Sequence, residues 1–191
     1  MPPKTKFTKE QISNAAFEIA KSEGIDSITI RKVADRLGSS IAPIYVNFND
    51  VDELKQAVAN KVVQLSQHMI YEENSGNTFR DIGVASLRFA QEYPVLIRDF
   101  VMKPNDYFQD HEKEMGSDLV EHMKKDATLE GFTDDELMTI LFKMRAFQMG
   151  LTIMVANGLL PKEFDLDKMI AISDDVAEDV MIATRMRKEK E

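Results

Sequence analysis

Apolar residues recur along most of the chain at intervals of three and four, and no segment sustains an alternation of apolar and polar residues. Such intervals place apolar side chains on one face of an α-helix, whereas strict alternation would indicate a strand. The pattern therefore predicts an all-α protein, in which an N-terminal three-helix domain with a helix-turn-helix is followed by a larger C-terminal helical bundle. The predicted helices are about 9–23, one between Thr29 and Gly38, a short one after Ser40, a long one from Asp50 to a break at 74–77, and then 78–92, 94–102, 106–128, 134–156 and 167–187.

Polar residues at the predicted helix starts support this division. Thr8 with Gln11, and Thr133 with Glu136, have the spacing of a capping box, in which two side chains satisfy backbone groups left unpaired by the first turn. Thr29 is placed to cap the second helix in a similar way. These signals fix where the first, second and eighth predicted helices begin.

The predicted helix at 134–156 is apolar on nearly every side. A helix of this kind must be buried all round, and a second subunit is an easy way to bury it. The last helix has an apolar stripe beside several acidic residues and can complete such an interface. We therefore expect a homodimer joined by a four-helix bundle, with these interface candidates: Phe147, Leu151, Met154, Ile172, Val176 and Val180.

Composition narrows the class of protein. The 191 residues are 43% hydrophobic and include no cysteine, which favours a globular core without disulfides. The start of the chain lacks the basic and apolar pattern of a secretory signal, and no apolar run approaches the ~20 residues of a membrane span. We expect a soluble cytoplasmic protein that does not enter a membrane.

Charge is divided unevenly along the chain. The formal net charge is -9, yet residues 1–48 carry seven basic and five acidic side chains, or +2, which leaves -11 for the remainder. Any interaction with nucleic acid therefore belongs to the first part of the chain. We accordingly divide the sequence into a DNA-binding segment, 1–48, and a helical ligand-binding and dimerisation segment, 49–191.

The segment RKVADRLGSSIAPIYVNF, residues 31–48, has the features of a helix-turn-helix. Such a unit needs a small residue where its helices cross, a glycine in the turn, and apolar residues that lock the helices together. Ala34, Gly38 and Ile44 meet these needs, with Val33 and Leu37. Ser40 is the predicted N-cap of the second helix, and Pro43 fits its first turn.

Each exposed position of the motif has a chemistry suited to DNA. Helix starts and the Tyr45 hydroxyl can bind phosphate, Ile41 and Ala42 can touch a thymine methyl group, and Asn47 can hydrogen-bond a base or a phosphate. Nearby lysines and arginines would add attraction that is independent of sequence. The competing interpretation is a purely structural helical hairpin in which Tyr45 only packs. The DNA-binding candidates are Thr29, Arg31, Ser40, Ile41, Ala42, Pro43, Tyr45 and Asn47.

The stretch ITIRKVADRLGSSIAPIYVNFNDVDELKQAV resembles the DNA-binding region of the TetR family of transcriptional regulators over roughly residues 8–58. The resemblance implies a three-helix DNA-binding domain, a helical C-terminal domain that binds a small ligand, and dimerisation through the last two long helices. It also implies a repressor that ligand releases from a double-stranded DNA operator. Three positions depart from the family pattern: Ser39 replaces an apolar residue, Asn47 a histidine, and Val51 a lysine that contacts phosphate.

Methionines and aromatic residues are concentrated in the second part of the chain. Met suits either an irregular core or an adaptable pocket, so both core filling and a cavity for a small hydrophobic ligand are open. Arg145, inside the apolar helix, can neutralise an anionic ligand or meet acidic residues of the dimer bundle. The ligand-binding candidates are Phe89, Tyr93, Met102, Phe108, Met123, Phe142 and Met149.

Catalysis has little support in the sequence. No nucleophile–base pair, glycine-rich phosphate loop or metal-ligand spacing is present, so no metal or cofactor is predicted. The alternative to a DNA-binding regulator is a helical ligand carrier or an enzyme whose helical hairpin is structural. The operator, the ligand and the direction of regulation are outside what these residues specify.

Overall fold

The protein is all-α, as the periodicity predicts. A computed structural model describes residues 7–101, 103, 107, 120–121, 123–124 and 126–188, apart from the side chains of 78 and 79, and this part of the chain contains no strand. Eight α-helices have defined bounds: α1 Lys9–Glu23, α2 Ile30–Arg36, α3 Ala42–Asn47, α4 Val51–Glu73, α5 Thr78–Glu92, α6 Pro94–Phe100, α7 Asp134–Ala156 and α8 Leu166–Lys188. Short 3-10 helices form at Ile25–Ser27 and Ala127–Leu129.

The predicted caps form at the starts of three helices. In α1 the Thr8 hydroxyl accepts from the Gln11 N–H at 3.1 Å, and the Gln11 side chain accepts from the Thr8 N–H at 2.9 Å. Thr133 and Glu136 make the same reciprocal pair at α7, and Thr29 caps α2. Each cap satisfies donors that the first helical turn leaves unpaired.

Some predicted bounds change. The helix predicted at 94–102 ends at Phe100, and the one predicted at 106–128 lies mostly outside the described residues. The N-cap of α3 is Ile41 and not the predicted Ser40, because the Ile41 carbonyl accepts the first bonds of the helix, from the N–H groups of Ile44 and Tyr45. No side chain caps this start.

The chain forms two compact units, and the first consists of Met1–Leu65 with Val95–Tyr107. Its core is made of fully buried aliphatic and aromatic side chains from α1, α2, α3 and α4, which are Ile12, Ile19, Val33, Ile44, Phe48, Leu54 and Val58. The boundary after residue 48 stays a prediction about the DNA-binding segment, and the compact unit that contains this segment extends beyond it.

Helix α6 contributes a buried carboxylate to the first unit. Asp99 is 6% exposed, and its Oδ2 accepts from the Ile25 N–H at 2.7 Å, while its Oδ1 accepts from the Lys103 ammonium at 2.6 Å. Gly24, which ends α1 with φ +93°, lies so close to this carboxylate that an added Cβ would collide with it. A carboxylate from α6 therefore stabilises the backbone just after α1.

The second unit consists of Ser66–Pro94 with Phe108–Glu191. In it α5, α7 and α8 pack together around two clusters. The larger contains the buried residues Val120, Met123, Leu129, Leu137, Ile140, Leu141 and Met144, and the smaller contains Leu87, Leu151 and Met169. The Gln148 side chain also donates to the Gly83 carbonyl at 2.9 Å, which joins α7 to α5.

Helix α7 keeps much of its apolar surface outside this core. It is long and apolar enough, by length and composition, to cross a membrane, and only 22% of its most apolar window is buried. The sequence expectation that no segment approaches a membrane span was based on runs of consecutive apolar residues. Helix α7 has no such run, but its mean hydropathy is high enough for a span. Lys143 and Arg145 interrupt its apolar surface, and placing such charges in the hydrocarbon core of a bilayer is costly.

Candidate nucleic-acid interface

The interface candidate begins with the cap of α2. Thr29 is exposed and extended, with φ -129° and ψ 150°, and its Oγ1 accepts from the Lys32 N–H at 3.2 Å. A hydroxyl that accepts in this way still has its own hydrogen to donate. Thr29 can therefore cap the helix and donate to a phosphate at the same time.

Gly38 closes the turn between α2 and α3. The Ser39 N–H bonds to the Ala34 carbonyl at 2.9 Å, and the Gly38 N–H bonds to the Asp35 carbonyl at 3.1 Å. This pair of bonds is a Schellman motif, which places a left-handed residue just after the helix, and Gly38 has φ +60°. A glycine meets that requirement at little steric cost.

Helix α3 has one buried face and one exposed face. Ile44 and Phe48, the residue that ends the helix, are buried at 0% and 2% exposure. Ile41, Tyr45 and Val46 are instead 48%, 54% and 69% exposed, although most of each side chain is apolar. Ala42 is exposed as well. Residues 42, 45 and 46 have the i, i+3, i+4 spacing of one helical face.

Asn47 differs from its predicted role. It is half-buried, and its side-chain nitrogen donates to the Pro43 carbonyl at 2.8 Å and to the Phe7 carbonyl at 3.4 Å. The amide donors of this residue are therefore used inside the protein. Pro43 is half-buried beside it.

A shallow groove lies between α2 and α3. It brings together four of the predicted DNA-binding residues, Arg31, Ser40, Ile41 and Tyr45, and is also lined by Ile30, Ala34, Asp35 and Ser39. Asp35 places one carboxylate in this groove. The other four residues of the predicted set, Thr29, Ala42, Pro43 and Asn47, do not line this groove.

Several cations of the first unit are paired. Lys9 lies 2.8 Å from Glu53, Lys32 lies 2.7 Å from Glu23, and Arg36 lies 3.8 Å from Glu18. Hydrogen bonds lower the pKa of Glu53, chiefly the one from the Asn49 backbone N–H and then that from Lys9. Within the described residues Arg31 makes no ion pair, and it is exposed.

The start of α4 is acidic and capped. The Asp50 carboxylate accepts from the Glu53 N–H at 2.8 Å, as the sequence predicts for a cap. Val51, where the family resemblance leads one to expect lysine, is the first residue of the helix. Lys55 lies one turn further along the same helical face and, among the described residues, has no ion-pair partner.

The ligand-binding candidates are spread over interior and surface. Phe89 is buried with its ring 5.0 Å from that of Tyr93, and Met123 is buried in the larger cluster. Phe142 is 74% exposed, and Met149 is also exposed. Met102 and Phe108 lie outside the described residues. The described candidates are divided between buried and exposed positions, so those five are not brought together in one cavity.

The dimer candidates divide in a similar way. Phe147, Val176 and Val180 are partly buried against the larger cluster, Ile172 is half-buried, and Leu151 is buried, so these side chains contribute mostly to the unit's own core. Met154 is exposed. Sequence reasoning missed other exposed apolar residues on α7 and α8, which are Met138, Ile182 and Met186. Positions 138, 142 and 149 are separated by intervals of four and seven, and this spacing could have indicated that the three residues share one face of α7.

No family model matches the chain. A 56-residue segment is 32% identical to part of the HTH-type nicotine-responsive transcriptional repressor HdnoR of Paenarthrobacter nicotinovorans. This segment is 29% of the chain and 29% of that repressor, so the match spans less than a third of the relative's length. The crystal structure of a protein assigned as a transcriptional regulator of Pseudomonas aeruginosa PAO1 matches with a TM-score of 0.65 at 18% identity, over 93% of this chain and 92% of that one. The chain therefore shares the fold of that protein.

Proposed function

We propose that this protein is a DNA-binding transcriptional regulator, and specifically a repressor of the TetR type that a small hydrophobic ligand releases from its operator. The observation that carries the proposal is the α2–turn–α3 unit, which has a buried face that locks it to the core and an exposed face on α3. Segment similarity to a helix-turn-helix repressor supports the same conclusion.

In this proposal α3 enters the major groove, and the start of α2 lies against the sugar-phosphate backbone. Thr29 and Arg31 hold phosphates, Ser40 and the Tyr45 hydroxyl add polar contacts, and Ile41 and Ala42 face the bases. Asn47 instead fixes α3 through its bonds to Pro43 and Phe7. Lys55 takes the role of the missing cation at Val51, because a flexible lysine one turn away can reach the same phosphate.

We further propose a homodimer that covers the exposed apolar face of α7. Met138, Phe142 and Met149 share this face with Arg145, which is exposed and has no ion-pair partner among the described residues. Acidic side chains of α8 are exposed as well, among them Glu178. A second copy can therefore supply both an apolar surface and opposite charge, and a two-fold interface would use each of them twice.

The ligand site is proposed for the second unit. Phe89, Tyr93 and Met123 remain candidates for its apolar lining, while Phe142 and Met149 are reassigned to the dimer face because of their exposure. A ligand that favours the conformation with lower affinity for DNA would release the repressor. Nicotine-responsive repression belongs to the similar protein, and the ligand of this chain is proposed only as a small hydrophobic molecule.

A binding assay on selected DNA tests the function. Duplexes enriched from a random pool by the purified protein should bind with an affinity that falls steeply as salt rises, since counterions are released from phosphates. Combined Thr29→Ala and Tyr45→Ala substitutions should weaken binding at least tenfold. Tyr71→Ala is the matched control, because Tyr71 is an 82% exposed tyrosine on α4 outside the motif. Failure to enrich any duplex would refute the proposal.

A further inference from the structure

The base-facing surface of α3 is almost purely apolar. Its exposed side chains are those of Ile41, Ala42, Tyr45 and Val46, and Val46 is the most exposed of the three large ones, at 69%. The sequence APIYVN of α3 contains no cationic or acidic residue. Large apolar side chains at 48–69% exposure on one short helix indicate that this face contacts something apolar when occupied.

The carboxamides around this face are engaged within the protein. Asn47 donates to the Pro43 carbonyl, and the Asn49 side chain donates to Glu53 Oε2 at 2.8 Å. Glu53 also accepts from the Asn49 backbone N–H at 2.8 Å, so Asn49 is held by two bonds. The Asn47 amide also donates to the Phe7 carbonyl at 3.4 Å, so both of its N–H donors are used, whereas one N–H of the Asn49 amide is used by Glu53.

The major groove offers few features that such a face can read. Guanine is usually recognised by an arginine or lysine at O6 and N7, and adenine by an asparagine or glutamine at N6 and N7. Cytosine is recognised through an acceptor at N4. The C5 methyl of thymine is the apolar feature of the groove, and it is contacted by aliphatic and aromatic side chains.

We propose that α3 reads its operator through thymine methyl groups, with Ile41, Ala42 and Val46 as the specificity-determining residues. The inference rests on the proposed DNA-binding function and names the feature of the operator that is recognised. In this proposal Arg31, which lines the groove between α2 and α3, contacts the phosphate backbone, and the apolar face reads the bases.

Replacing thymine by deoxyuridine tests this inference, because it removes the methyl group and leaves the Watson–Crick edge unchanged. The probe is the duplex enriched from a random pool, with each thymine replaced in turn, and the readout is the dissociation constant at fixed salt. Burying one CH₂ group is worth ~0.8 kcal/mol, so each methyl contacted should change affinity about fourfold. At least two positions in each half-site should show this loss.

A variant protein shows which side chain contacts a given thymine methyl group. Val46→Ala should reduce affinity for the thymine duplex and abolish the effect of deoxyuridine at one position, while the other sensitive positions keep theirs. Because Val46 is mostly exposed, this substitution leaves the core intact. Tyr71→Ala serves as the control and should retain every deoxyuridine effect.

The outcomes separate the two proposals. Enrichment of a duplex in which every deoxyuridine replacement changes affinity by less than about 1.5-fold would overturn thymine-methyl reading and leave DNA binding standing. An enriched half-site core made only of G·C pairs would overturn it as well. Failure to enrich any duplex would instead remove the DNA-binding function itself.

Discussion

Replacing Asp99 by alanine should destabilise the unit that carries the helix-turn-helix. Asp99 is 6% exposed, and its carboxylate accepts from the N–H of Ile25, a residue that is itself 4% exposed. Alanine removes the acceptor and leaves this buried N–H without its partner. The substitution is on α6, far along the sequence from the backbone that it affects.

The size of the effect follows from the two bonds that are lost. An orphaned buried donor costs about 1–3 kcal/mol. The bond to the Lys103 ammonium adds little, because the lysine side chain is 55% exposed and exposed pairs contribute little to stability. We expect a loss of about 2 kcal/mol in the free energy of unfolding. For a chain of this length this corresponds to a fall of about 4–8 °C in Tm.

Thermal and urea unfolding, followed by circular dichroism, measure this loss. Asp26→Ala is the matched control, since Asp26 lies 3.7 Å from the same ammonium but its side chain is 78% exposed. The control should stay within about 0.5 kcal/mol of the unchanged protein, as is usual for surface positions. An Asp99→Ala protein as stable as the control would refute a structural role for the buried carboxylate.

Three further predictions follow from the other contacts. Lys55→Ala should weaken operator binding and reduce the slope of log Kd against log salt concentration by about 0.9, the value for one phosphate contact. Lys61→Ala, on the same helix, should leave this slope unchanged. Salt titrations that give equal slopes for the unchanged protein and both variants would contradict the prediction. Phe142→Glu should convert the proposed homodimer to monomer in sedimentation, whereas the same change at exposed Leu159 outside the helices should leave it dimeric. The pKa of Glu136 is lowered, chiefly by a hydrogen bond from the backbone N–H of the residue that caps α7. The contribution of ionised Glu136 to stability is therefore present above the ordinary pKa of about 4.5 and is lost as pH falls through the lower pKa of the folded state. Glu136→Gln should make the free energy of unfolding less dependent on pH in that acid range.

Helix existence and several helix starts could be predicted because they depend on local chemistry. The Thr8 and Thr133 caps involve residues three positions apart, and the apolar periodicity is equally local. The start of α3 could not be fixed in the same way. Ser40 has the better capping side chain, but the helix begins with the carbonyl of Ile41, and a sequence pattern does not distinguish two adjacent candidates.

The candidate site was predictable in part for a related reason. Four of the eight predicted DNA-binding residues line the same groove, and the assignment of the set to DNA stays a prediction. Asn47 was assigned outward because its polarity suits DNA, yet its bond to the carbonyl four residues earlier competes with any external partner. Phe142 was assigned to a ligand cavity because methionines and aromatic residues are concentrated in the second part of the chain. Only the packing of α5 and α8 against α7 decides which face of that helix stays exposed.

The hydrogen bond from the Ile25 N–H to Asp99 determines which segments must be kept together when parts of this protein are exchanged with a homologue. A recombinant that takes only the first 65 residues would carry α3 but lose the acceptor that the Ile25 N–H requires, together with the rest of Val95–Tyr107. The structural unit that has to be exchanged as a whole is therefore discontinuous in sequence, and it includes α6 as well as the N-terminal helices. Functional hybrids should arise when both segments are transplanted together, with the Gly24 and Asp99 pair kept from one parent.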